Sequence, residues 1–175
     1  MNFPNILSVS RIFLSIPIII LFENESYLLS IIFFIVASVT DYLDGFLARK
    51  QNLVTKTGAL LDLLADKIFV SVILIWMTFT FESVFILVAS ILIISREIAV
   101  SYLRLFIISN NKETREVQPD LFGKLKTALQ MVGIGCILIT PITPYFFFNL
   151  SLSLIFSGVV FSWYSFFRYL NKWLA

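Results

Sequence analysis

The residues best suited to chemistry are four aspartates in the segment TDYLDGFLARKQNLVTKTGALLDLLADK, residues 40–67. Asp41 and Asp44 are three residues apart and Asp62 and Asp66 four apart, so on helices each pair projects from one face. Both pairs lie in otherwise apolar stretches, where an ionised side chain costs at least ~2.5–3.5 kcal/mol, so the negative charge needs neutralising. Protonation would satisfy one or two of them. Oxygen-only ligands at this density suit hard cations such as Mg2+ or Mn2+, and four carboxylates can hold two ions. A pair of such ions orients a diphosphate and stabilises the charge that develops as one oxygen attacks phosphorus and another leaves. The bland alternative is that the aspartates cap helices or pair with Arg49, Lys56 and Lys67 at an interface. Capping needs one carboxylate at each helix start, not four at helical spacing within two apolar segments. Gly45 and Gly58 would let a ligand approach the backbone closely, although helix packing explains each glycine equally well.

The elements that must position these residues are membrane helices. The chain has 175 residues, 59% hydrophobic and 14% charged, with mean hydropathy +0.94, against ~25% charged residues in ordinary soluble domains. Apolar runs of about 17–25 residues, enough to cross a bilayer core, predict six transmembrane helices at about residues 5–22, 28–50, 56–80, 83–109, 122–142 and 148–170. The fold class is therefore all-α, an integral membrane protein forming a single domain over residues 1–175. The second and third helices form a hairpin that places the two aspartate pairs at similar depth. All thirteen Lys and Arg residues fall toward one side of this alternation, which puts both termini and the aspartates on the cytoplasmic side. The first segment lacks a small-residue cleavage site, so it is expected to remain as a span rather than be removed as a signal peptide.

Composition also excludes some chemistries. The chain has no histidine, which removes imidazole catalysis and the common histidine zinc sites. The one cysteine, Cys136, reads as a small buried apolar residue. A net charge of +2 fits the positive-inside pattern better than nucleic-acid binding. Most aromatic residues are expected to face lipid or its interface, and Pro17 to bend the first helix.

The pattern Asp41-x2-Asp44-Gly45-x2-Ala48-Arg49-x8-Gly58-x3-Asp62-x3-Asp66 resembles, at every position, the signature of the CDP-alcohol phosphotransferases. The resemblance implies a six-helix membrane domain, usually dimeric, with a cytoplasm-facing site that needs no organic cofactor and no covalent intermediate. By motif position, Asp41, Asp44 and Asp62 correspond to metal ligands, and Asp66 to a further ligand that is also the general base. Gly45, Ala48, Arg49 and Gly58 correspond to nucleotide and diphosphate contacts.

Within that family, the opening FPNILSVSR resembles the P-N-x-L-T-x-x-R start of phosphatidylglycerophosphate synthases, with Ser8 in the threonine position. This adds Asn5 and Arg11 as nucleotide contacts, Arg11 having a second reading as a positive-inside anchor. SREIAVSYLR and FGKLKTALQM are similar to the same branch, whose donor is CDP-diacylglycerol and whose acceptor is sn-glycerol 3-phosphate. Arg96, Arg104, Lys124 and Lys126 become candidate ligands of the acceptor phosphate, for which fixed cations are needed. For Arg96 a structural pair with Glu97 is the competing reading. A different acceptor (inositol phosphate, serine or phosphatidylglycerol) would keep every aspartate. The intramembrane aspartates taken alone also fit a divalent-cation or proton transporter.

Overall fold

The computed structural model describes the backbone of residues 3–50, 56–109 and 121–174, and the side chains of 10–40, 64–103, 123 and 125–171. The described residues form six α-helices: α1 (Phe3–Glu23), α2 (Tyr27–Lys50), α3 (Lys56–Thr80), α4 (Val84–Ser109), α5 (Leu121–Ile139) and α6 (Phe146–Leu174). Among them there is no strand. A 3-10 turn, Thr140–Ile142, tightens the end of α5 at Pro141. Pro17 sits inside α1 without ending it.

The first break is built by local chemistry. The amide of Ser26 donates to the Leu21 carbonyl at 2.8 Å and that of Glu25 to Phe22 at 2.9 Å. This paired closure of a helix C-terminus places Glu25 in the left-handed region, at φ 60°. Asn24 adds a side-chain bond from Nδ2 to the Ile20 carbonyl at 2.9 Å.

Packing neighbours run α1–α2–α5–α6–α4–α3 and back to α1, a closed ring around one apolar core. Ile18, Phe34, Phe69, Ile73, Ile93, Ile134 and Ile137 lie in that core, each no more than 3% exposed. Phe34 of α2 and Phe69 of α3 stack at 6.0 Å between ring centroids. The aromatic residues thus divide: Phe22, Phe34 and Phe69 are interior, whereas Phe13, Phe79, Phe85, Tyr145 and Phe146 are exposed. The α5–α6 hairpin is close-packed, because a Cβ on Gly133 would come within 2.5 Å of Ile155 Cγ1 and 3.3 Å of the Ser151 carbonyl. Small residues let membrane helices approach in this way.

Among the described residues three stretches are long and apolar enough to cross a membrane: Val84–Leu103, Leu125–Ile142 and Phe146–Asn171. The described side chains of α1, α2 and α3, 10–23, 27–40 and 64–80, are each shorter than the roughly 20 residues a span needs. α2 and α3 both pack on α1; the convergence of their aspartate-bearing ends falls outside the described residues.

Candidate functional site

Charge gathers in the half of the ring where α3 and α5 begin and α4 and α6 end. Asp66 and Lys67 come from α3, Arg96 and Glu97 from α4, and Lys126 and Gln130 from α5. Adjacent helical residues point about 100° apart, so Arg96 and Glu97 serve different neighbours. Arg96 Nε donates to the Ser162 carbonyl of α6 at 3.1 Å, while Glu97 turns toward α3 and α5.

Glu97 is the hub. Its carboxylate takes Arg96 Nη1 at 2.8 Å, Lys67 Nζ at 3.3 Å and Lys126 Nζ. Lys67 Nζ is fixed further by the Glu97 backbone carbonyl at 3.0 Å and by Ser101 Oγ. Ser101 in turn donates to that same carbonyl at 2.7 Å. Arg96 is 5% exposed and Lys126 9%, depths at which a cation needs a counter-charge. Among the described residues three cations share the Glu97 carboxylate, leaving a surplus of two positive charges, or one when Asp66 is ionised.

Asp66 is half-buried, with Oδ1 withdrawn from solvent. It lines a cavity of about 40 Å³ with Lys67, Glu97, Lys126 and Gln130, closed by apolar Val70, Ile93 and Met131. A much larger open hollow, about 700 Å³, lies at the opposite end of the ring between the α3–α4 and α5–α6 connections. It offers Glu82 and a rim of Phe81, Phe85, Tyr145 and Phe148 and no basic side chain, so size alone points away from the chemistry.

The structure therefore brings together Asp66, Arg96 and Lys126 of the expected site. Arg96 does pair with Glu97, and the pair belongs to the wider cluster. Arg11 is 1% exposed, unlike an anchoring arginine, whose head group would reach toward water. Asp41, Asp44, Gly45, Ala48 and Arg49 lie on α2, Gly58 and Asp62 on α3, Asn5 on α1, Arg104 on α4 and Lys124 on α5; their side chains fall outside the described residues. Among the described residues no three His, Cys, Asp or Glu side chains gather as a metal site. Lys67, Ser101 and Gln130 were not expected in the site, and Glu97 only as a structural partner. Glu97 carried a signal, an acidic residue deep in an apolar run, whereas Lys67 read as one more interfacial cation.

Comparison with known proteins gives the family. Residues 1–165 match the family CDP-alcohol phosphatidyltransferase. A relative from Wigglesworthia glossinidia brevipalpis is 40% identical over 143 residues, covering 79% of this chain and 77% of its own. One from Pectobacterium atrosepticum is 33% identical over 174 residues, 97% of this chain and 93% of its own. One from Escherichia coli K12 is 35% identical over 144 residues, 80% of this chain and 78% of its own. Each of the three is named CDP-diacylglycerol--glycerol-3-phosphate 3-phosphatidyltransferase.

Proposed function

The chain belongs to the CDP-alcohol phosphatidyltransferase family, and from that premise we propose that it transfers the phosphatidyl group of CDP-diacylglycerol to sn-glycerol 3-phosphate, giving phosphatidylglycerophosphate and CMP. The names of relatives at 33–40% identity support this reaction. The observation that carries it to the site is that Asp66 lines one cavity with Lys67, Glu97 and Lys126, with Arg96 bonded to Glu97 behind them, a cluster that keeps a positive surplus even when Asp66 is ionised. A phosphate monoester carries about −1.5 to −2 at neutral pH, so a cavity with surplus positive charge suits an acceptor that bears a phosphate better than a neutral one.

In this reading Arg96 and Lys126, steadied by Glu97 and Lys67, bind the acceptor phosphate, with Arg104 and Lys124 at the same helix ends adding to it. Asp66 takes the proton of the attacking hydroxyl, whose oxygen forms the new bond to the phosphatidyl phosphorus as the bond to CMP breaks. Asn5, Arg11, Gly45, Ala48, Arg49 and Gly58 would contact the nucleotide and diphosphate. The all-oxygen donor set of Asp41, Asp44, Asp62 and Asp66 suits two Mg2+ or Mn2+ ions, which when bound supply charge neutralisation at the diphosphate.

We further read the chain as one domain with six spans, both termini cytoplasmic, in the cell membrane, and as a homodimer, as the resemblance implies. The one-sided placement of Lys and Arg supports the orientation. Family membership leaves the cation-transporter reading without support.

The test is purified protein with CDP-diacylglycerol and Mg2+, offered glycerol 3-phosphate, inositol phosphate, serine or phosphatidylglycerol in turn. CMP release with glycerol 3-phosphate is expected, and its absence there alongside turnover of another acceptor refutes the choice.

A further inference from the structure

Lys126 and Gln130 stand one turn apart on α5 and share a face. Lys126 is held by Glu97. Gln130, only 6% exposed, has an amide nitrogen with no hydrogen-bond partner among the described residues. A buried donor is costly to leave unmatched, and apolar replacement would remove that cost, so the amide calls for a ligand. The side chain itself is held in place: a Cβ on Gly158 of α6 would come within 2.9 Å of Gln130 Cγ, so α6 lacks a side chain where that of Gln130 passes. The glutamine then lines the cavity shared by Asp66, Lys67, Glu97 and Lys126.

We infer that Gln130 binds the unreactive hydroxyl of the acceptor, donating from Nε2, while the cation cluster holds the phosphate and Asp66 faces the hydroxyl that reacts. This rests on the acceptor being sn-glycerol 3-phosphate. Clustered cations attract any phosphate monoester and fix only one end of it. A second, directional contact on the secondary hydroxyl determines which way the three-carbon chain lies, and so which oxygen reaches Asp66. Gln130 is on this account the residue that sets acceptor specificity beyond charge, because a site built to bond a hydroxyl rejects the analogue that lacks it.

The experiment compares glycerol 3-phosphate with 1,3-propanediol monophosphate, its 2-deoxy analogue, using the full chain and the unbranched variant Gln130→Met. The unaltered enzyme should use the deoxy compound about tenfold less efficiently, the scale of one hydrogen bond. Gln130→Met should raise KM for glycerol 3-phosphate about tenfold, leave KM for CDP-diacylglycerol unchanged, and treat the two acceptors alike. Discrimination that survives in the variant would assign Gln130 to packing and overturn the inference. Equal use of both acceptors by the unaltered enzyme overturns it without any variant, should Gln130→Met not fold. Failure of glycerol 3-phosphate to release CMP at all would instead sink the reaction on which the inference stands.

Discussion

Asp66 is half-buried at the edge of a cavity whose other charged walls are Lys67, Glu97 and Lys126, a setting in which an acceptor hydroxyl and an acceptor phosphate find opposite charges a short way apart. If the carboxylate accepts the proton, Asp66→Asn should lower CMP release by about 10²–10⁴-fold, the usual worth of a general base. Near-normal transfer by that variant would remove the base assignment even if the reaction stood. Lys126→Met leaves Glu97 with Arg96 and Lys67 but removes one of the cluster's positive charges. KM for glycerol 3-phosphate should then rise at least about tenfold, the effect of one charge-assisted bond, with KM for CDP-diacylglycerol little changed; steady-state kinetics with each substrate varied in turn separates the two. At this scale the sequence was legible where chemistry is local. Arg96 and Lys126 were candidates through the resemblance of their segments, and the structure joins them through Glu97. Their meeting point did not stand out, because Lys67, Glu97 and Lys126 are about thirty residues apart in turn, and apolar residues surround each helix on every side. With no polar face to mark its rotation, a helix does not reveal which neighbour a given side chain meets.

The helices themselves were far easier to read. The helices expected at 83–109 and 56–80 correspond to Val84–Ser109 and Lys56–Thr80, because length and hydropathy mark an apolar helix before any tertiary contact does. The helix ends differ more: the fifth, expected to residue 142, ends at Ile139 before the 3-10 turn, and α6 continues past residue 170 to Leu174, since Asn171 and Lys172 end the apolar run without breaking the backbone pattern. The turn after α1 shows the reverse, a polar cluster that marked the break but not its geometry. Glu25 occupies at φ 60° the position that glycine usually takes in this closure. Glu25→Gly should therefore stabilise the protein by about 1 kcal/mol, raising the thermal midpoint in detergent by about 2–4 °C. A lowered midpoint would mean that the Glu25 side chain contributes more than its backbone strain costs.

As a whole, the molecule is polarised. The connections beside Glu23, Glu25 and Glu82 contain no Lys or Arg; of the described cations, Lys126 and Arg168 sit toward the opposite ends of their helices, and Arg11, Lys67 and Arg96 lie nearer mid-helix. If this asymmetry sets orientation, single cysteines placed at Glu25 or Tyr145 in a Cys136→Ala background should react with a membrane-impermeant maleimide added outside intact cells. Cysteines at either terminus should react only after permeabilisation, and the opposite pattern would invert the topology. The indole of Trp163 offers a different kind of readout. Its Nε1 bonds the Leu92 carbonyl of α4 at 3.2 Å, and it follows Ser162, whose carbonyl holds Arg96. Trp76 is far along α3, bonded to Glu23 at 2.8 Å. One fluorophore thus reports from beside the cations and another from the remote end, so in a Trp173→Phe background titration with glycerol 3-phosphate should shift the emission of Trp163 while Trp76 serves as an internal reference. The enzyme would then signal the arrival of a water-soluble substrate by its own light, without an attached dye.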